Sequence, residues 1–254
     1  MIKLCLPEKP AQLTSAVQKE LTDKFLNDNS DVWNKPFIRE AVANISFGKC
    51  CYSECKLNEE SKYLEIDHFY PKKYFPEKVV EWGNLLPACK KCNTTKGEHN
   101  PNIEPIINPF VDNPQDHLYI ENFRFYGKTE KGKTTIDVVA LNDRKHFVDK
   151  RFKIGIKIIE NIEDIKQSIE LNINELKTNF RLKNRYLQRI KNLLNEGTKE
   201  NEYAATISTV ILQSEDFVQL IRVLKLNLLC DSELDNLINE LKYCSLIKIP
   251  LKSL

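Results

Sequence analysis

The sequence of 254 residues has no apolar run approaching the roughly 18 residues that a membrane span needs. Its opening, MIKLCLPEKP, has no apolar stretch like that of a secretory leader, so the expected compartment is the cytosol and no membrane partner is expected. A surplus of charge of one sign is also missing. With 38 Lys and Arg against 36 Asp and Glu, the net charge is +2, and a nucleic-acid contact has to be argued from local basic patches. No internal repeat or low-complexity tract is present. Proline is absent from residues 115–249, ten of the eleven prolines lying at or before Pro114, and that interval has only Gly127, Gly132, Gly155 and Gly197. A long stretch so poor in helix breakers suits helices.

Apolar residues there recur at helical spacing. Ile158, Ile162, Ile165, Ile169, Ile173, Leu176 and Phe180 step by three or four and predict one stripe of a long helix, with Gly197 as a later stop. Shorter helices are expected at about 201–213, 215–229 and 231–243, the last with Asp231 as N-cap. Near the start, Leu13, Val17, Leu21 and Phe25 are spaced by four, and Pro36 to Phe47 carries a second apolar pattern, so two helices are expected there. Residues 49–141 read differently. KYLEI and TTIDVVAL alternate or are β-branched, and YGKTEKGK reads as a hairpin turn. The expected class is α+β, mostly α, in three parts: an N-terminal helical segment at 1–48, a chemistry-bearing part at 49–143 and a C-terminal helical domain at 144–254.

In a reducing compartment eight cysteines do not make a disulfide framework. Five of them fall in two groups, Cys50, Cys51 and Cys55 in KCCYSECKLN, and Cys89 and Cys92 in LLPACKKCNTTKG. Pairs two to four residues apart can wrap a tetrahedral zinc ion, so Cys50 or Cys51 with Cys55, together with Cys89 and Cys92, are candidate ligands. The alternatives are buried apolar cysteines or a redox pair, though no βαβ pattern accompanies the Cys-x-x-Cys. Cys5, Cys230 and Cys244 stand alone and are expected to be small core residues.

Between the groups lie Asp67, His68, Asn84 and Asn93, polar residues among apolar neighbours. Phosphodiester cleavage needs a base for the attacking water and an ion to offset charge on the phosphate. His68 suits the first role, Asp67 and Asn93 offer oxygen ligands for Mg²⁺ or Mn²⁺, and Asn84 suits a positioning task. A helix starting near Pro87 and ending before Gly97 would present the cysteines at its first turn and direct Asn93 and Lys96 toward Asp67 and His68.

These residues resemble the HNH endonucleases, which carry Asp-His, a central Asn and a final His or Asn on a zinc-stabilised ββα-metal core, the His-Me finger. Asp67 and His68, Asn84, and Asn93 within CKKCNTTKG carry the resemblance. KCCYSECKLN, LEIDHFYPK, NLLPACKKCNTTKG, INPFVDNPQDHLYI and TIDVVALNDR resemble the nuclease subunits of the Septu anti-phage system, over about residues 1–150. The resemblance implies a nucleic-acid hydrolase with His68 as general base, Asp67 and Asn93 on a catalytic divalent ion, Asn84 positioning, and Cys50, Cys55, Cys89 and Cys92 on zinc. It implies DNA or RNA as substrate and an ABC-type ATPase as partner. Where such a system accompanies a retron, it also implies a reverse transcriptase with its multicopy single-stranded DNA. One departure stands out: Ser53 occupies the second upstream ligand position, and Cys55 is displaced from it by two.

Residues 49–100 hold nine Lys and Arg against eight Asp and Glu, so phosphate anchors are sought elsewhere. Lys96 on the site helix is one candidate. Arg181, Arg185 and Arg189, spaced by four in an acid-free stretch, form another, and Arg124 to Lys133 is a second basic segment expected to flank the cleft. The competing function is a zinc-knuckle module that binds nucleic acid or protein without cleaving it.

Overall fold

A computed structural model describes residues 1–58 and 63–248. Lys62 of the expected KYLEI strand, Pro250 and the end of the expected 144–254 domain lie outside the described residues. Helix α1 (Ser15–Asp28) begins where the Thr14 hydroxyl accepts from the Val17 amide and ends at Asn29, whose φ of 54° turns the chain out of the helix. Pro36 opens α2 (Pro36–Ile45), whose Ile38, Val42 and Ile45 face the core.

Two strands follow, β1 (Leu64–His68) and β2 (Leu85–Cys89), antiparallel with Asp67 opposite Leu86 and His68 opposite Leu85. The chain passes directly from β2 into α3 (Lys90–Lys96), completing a β-β-α unit. The helix thus starts three residues later than the sequence suggests, because Pro87 lies within the wholly buried β2 and Cys89 is still extended, with φ −79° and ψ 153°.

After the short helix α4 (Pro114–His117), β3 (Leu118–Glu121) and β4 (Arg124–Gly127) form a hairpin. Its turn is Asn122–Phe123, both left-handed with φ of 49° and 62°, and not the expected YGKTEKGK. TTIDVVAL is no strand either: it lies in α5 (Glu130–Val138) and its exit. The Thr129 hydroxyl accepts from the Gly132 amide at 3.2 Å, and Gly132, Thr135 and Ile136 share the buried helical face. This cap and packing override the β-branched composition. Gly132 is required there, because a Cβ would meet the His117 carbonyl oxygen at 2.1 Å.

A turn of π-helix at Arg144–Val148 leads into α6 (Asp149–Leu176), and α7 (Phe180–Asn195), α8 (Ala204–Gln213), α9 (Glu215–Leu226) and α10 (Ser232–Cys244) follow. The predicted isoleucine stripe is buried at Ile158, Ile162, Ile165, Ile169 and Leu176, half-buried at Ile173, and does not reach Phe180, which is exposed. The helix stops because Asn179 caps a new one, its side chain accepting from the Leu182 amide at 3.1 Å. Asp231 caps α10 through the Leu234 amide at 2.9 Å. Cys244 is buried and Cys230 half-buried, whereas Cys5 is exposed, contrary to the expected core position.

Buried apolar side chains gather in two clusters. One joins the N-terminal helices, the β-β-α unit, the β3–β4 hairpin and α5, and also takes in Tyr203 to Ala205 and Leu246. The other lies among α6 to α10. No helix among the described residues is long and apolar enough to cross a membrane.

Candidate active site

The loop before β1 folds back on itself, the Cys50 amide donating to the Cys55 carbonyl at 2.9 Å, with Glu54 in the left-handed region at φ 62°. This brings the Cys50 sulfur beside those of Cys89 and Cys92 at the start of α3, all three buried and within 4.8 Å of one another. Cys55 stands beside them: its sulfur accepts from the Ser53 hydroxyl at 3.3 Å and approaches Cys50 and Cys89. Ser53 is therefore wedged among the sulfurs, its amide 3.5 Å from Cys50 Sγ and its hydroxyl 3.7 Å from Cys89 Sγ. Cys51 makes no such contact, and its amide donates to the Pro87 carbonyl at 2.8 Å. Of the two upstream candidates, Cys50 and not Cys51 has its sulfur beside the Cys89–Cys92 pair. Burial pushes the Cys50 thiol up, but hydrogen bonds from Cys55, Cys89 and Cys92 outweigh it and hold the group well below the ordinary thiol range. A buried, convergent set of soft donors with one readily ionised thiol fits a metal ion.

The far end of β1 carries Asp67 and His68 into a cavity of about 590 Å³, which Asn93 of α3 also lines. The Asp67 carboxylate accepts from the Lys96 ammonium at 2.9 Å and from the Tyr52 hydroxyl at 2.6 Å. The same ammonium donates to the His68 carbonyl at 2.7 Å. Each carboxylate oxygen keeps a further lone pair. The Asn93 side-chain amide donates to Glu65 Oε2 at 2.7 Å, which leaves its side-chain oxygen to face the cavity's other groups as an acceptor.

His68 Nε2 lies 2.8 Å from the Val79 carbonyl. A carbonyl only accepts, so Nε2 carries the proton and Nδ1 keeps a lone pair. Burial lowers the imidazole pKa to about 4, so the ring is uncharged at neutral pH and able to take a proton. Asn84 acts at one remove. It accepts from the Tyr70 amide at 2.7 Å and donates to the Tyr70 and Lys78 carbonyls at 3.1 and 3.0 Å. It thereby fixes the 69–84 loop that supplies the Val79 carbonyl.

Residues 49–99 match the HNH endonuclease family. Across 223 residues, 87% of this chain and 85% of the relative, the sequence is 44% identical to Septu protein PtuB of Bacillus thuringiensis. The chain belongs to the Septu PtuB family. Septu protein PtuB of Bacillus mycoides (strain KBAB4) is 26% identical across 51% of this chain and 57% of its own length. The match to the first PtuB is too long to stop near residue 150, where the sequence motifs fade, so it extends into the C-terminal helices.

As a PtuB-family chain with an HNH domain, the protein is a nuclease. Its cavity brings together Asp67, His68 and Asn93, with Lys96 beneath them. Lys96 is 3% exposed and held by Asp67 and His68, so it is no phosphate anchor as the sequence suggests. Arg181, Arg185 and Arg189 lie on α7 in the second cluster's shell and do not line this cavity; Arg189 pairs with Asp164. In the second basic segment, Lys131 pairs with Asp112 at 2.9 Å, Lys133 with Glu130 at 2.6 Å, and Lys128 holds the Gln115 carbonyl, so those cations have partners within the protein. Sequence reasoning missed Glu65, Tyr52, Trp33 and Lys72. Glu65 was within reach, because it stands two residues before Asp67 and shares its strand face. Trp33 gave no signal, since only folding brings α1 and its exit to the cavity.

Proposed function

We propose that this chain is a metal-dependent endonuclease that hydrolyses phosphodiester bonds of DNA or RNA, as the effector of an ATPase-coupled anti-phage complex in the cytoplasm. The observation that carries this reading is the state of His68: uncharged, its Nε2 proton committed to Val79, beside Asp67 and Asn93 in one cavity. Nδ1 takes the proton from a water as that water attacks phosphorus. Asp67 and Asn93 hold Mg²⁺ or Mn²⁺, which when bound offsets charge on the phosphate and the leaving oxygen. Lys96 and Tyr52 fix the Asp67 carboxylate, Glu65 fixes Asn93, and Asn84 holds the loop behind His68. Cys50, Cys55, Cys89 and Cys92 bind zinc, which ties the loop before β1 to the start of α3. Residues 49–143 form the nuclease part, and the helices of 144–254 offer surface to a PtuA-like ATPase. In a retron-linked system, that complex also meets the reverse transcriptase with its multicopy single-stranded DNA.

The test is cleavage of plasmid DNA and of tRNA by the chain, alone and with its ATPase, in Mg²⁺ or in EDTA, repeated with His68→Ala. Cleavage is expected to need the divalent ion and to fall by about 10²- to 10⁴-fold in the variant, with zinc content unchanged. Equal cleavage by the variant removes His68 from the mechanism. A second reading, a knuckle that binds without cleaving, is favoured by one feature, the engagement of Asp67 by Lys96 and Tyr52. Absence of cleavage under every condition would select it.

A further inference from the structure

The cavity beside Asp67 and His68 has a wall that the HNH match at residues 49–99 does not supply. It comes from the C-terminal end of α1 and the segment after it, which bring Phe25, Asp31 and Trp33 to the cavity. The Trp33 ring meets the His68 imidazole edge-on, centroids 5.0 Å apart and planes at 90°. Phe25 packs edge-on at 5.9 Å and fixes the indole from the other direction. The Lys72 ammonium stands over the Trp33 face, 4.1 Å from the centroid. A buried aromatic ring therefore holds a cation and the imidazole in fixed relation.

Lys72 and Lys73 are chain neighbours, and both line the cavity. Lys73 is neutralised by Glu98. Lys72 has no carboxylate partner among the described residues, and its charge is near enough to His68 to favour the neutral ring. An ammonium half-buried, without a counter-anion and on a rigid platform next to the proposed base is a place for an anion. We propose that Lys72 grips the phosphate at the scissile position, or the one next to it, and that Trp33 is a positioning residue that holds Lys72 and His68 in register. This rests on the reading of the cavity as the hydrolytic site, and it adds a substrate contact whose side chain is held by an aromatic ring from outside the HNH match.

The proposal is tested with the full chain, and with its ATPase if cleavage needs it. The cleavage of plasmid DNA in Mg²⁺ is followed together with the binding of a fluorescein-labelled single-stranded 20-mer to a His68→Ala background across a range of salt. Lys72→Ala is expected to lower kcat/KM by about 10- to 100-fold, the scale of one charge-assisted hydrogen bond. It should also flatten the dependence of log affinity on log salt by about 0.7, the contribution of one single-strand phosphate. Lys72→Arg should recover most of both. Lys73→Ala, which removes the same charge one residue away, should change either by less than half as much. Trp33→Leu should lower kcat/KM by about 3- to 10-fold and Trp33→Phe by less, since the phenyl ring keeps a face for the cation. A Lys72→Ala protein with wild-type kcat/KM and salt slope, while His68→Ala is inactive, overturns the proposal and leaves the hydrolytic reading intact. Full activity in His68→Ala overturns that reading, and the inference resting on it falls too. Equal effects at Lys72 and Lys73 would show a general electrostatic field and overturn the assignment to Lys72.

Discussion

The two halves of the molecule solve the problem of a buried interior in opposite ways. In the nuclease half, Lys49, Glu54, Asp67, His68, Asn84 and Lys96 all lie within the core. Each is held by named partners, as when Lys49 donates to the Lys199 and Asn201 carbonyls at 2.5 and 2.7 Å. In the helical half the interior is isoleucine and leucine. There Ser208 and Thr209 donate within their own helix, to the Ala204 carbonyl at 2.6 Å and to that of Ala205 at 2.5 Å. Its cations lie at the margins: Lys191 reaches Asp231 and Glu233 at the surface, and the buried Arg151, near the start of α6, donates to the Leu141 carbonyl at 2.6 Å on the nuclease side. Burying charge costs several kcal/mol before pairing restores it, which is why the interior among α6 to α10 is apolar. The ionisable groups buried around the HNH-matched segment make it the candidate site.

The comparison is broken most severely by removing a sulfur. If a metal holds the loop before β1 to α3, Cys92→Ala should disorder the nuclease half and leave the helices of the other half folded. Structural zinc contributes about 10–16 kcal/mol in small metal-dependent domains. Limited proteolysis with mass spectrometry, alongside metal analysis, would show cleavage sites appearing between about residues 49 and 100, with bound zinc lost. Uniform protection of that segment would show that packing alone holds it.

A pair of smaller changes sharpens the contrast. Lys96→Met strands the Asp67 carboxylate in the interior and should lower stability by about 3–5 kcal/mol, with cleavage lost as well. Ile162→Ala opens a cavity in the apolar half and should cost about 2–4 kcal/mol, while the rate of the chemical step stays near wild type. Urea unfolding with single-turnover kinetics measures both. A large kinetic effect of Ile162→Ala would mean that the halves are coupled more tightly than their separate cores suggest.

Where one physical rule dominates, the sequence already carries the answer. The stripe from Ile158 to Leu176 and the Asp231 cap follow from helical periodicity and from an orphan amide needing an acceptor. The two cysteine groups, and Asp67 and His68 with Asn93, come together in space as their spacing suggests. What was hidden depends on contacts between distant segments. β-branched TTIDVVAL becomes helical through the Thr129 cap and the close approach at His117. Lys96 looks like a surface cation until folding sets it beneath Asp67, and Trp33 belongs to the site only because α1 packs across it.

The central claim is that His68 stands ready as a neutral base with its free lone pair at Nδ1, and ¹⁵N chemical shifts of its ring read this directly. Because burial lowers its pKa from 6.5 to about 4, the folded protein binds fewer protons there than the unfolded chain between those values. Stability should therefore decline as pH falls from about 6.5 toward 4. At pH 7 the spectrum should show an uncharged ring protonated at Nε2, titrating near pH 4. A ring protonated at Nδ1, or charged at pH 7, would contradict the account.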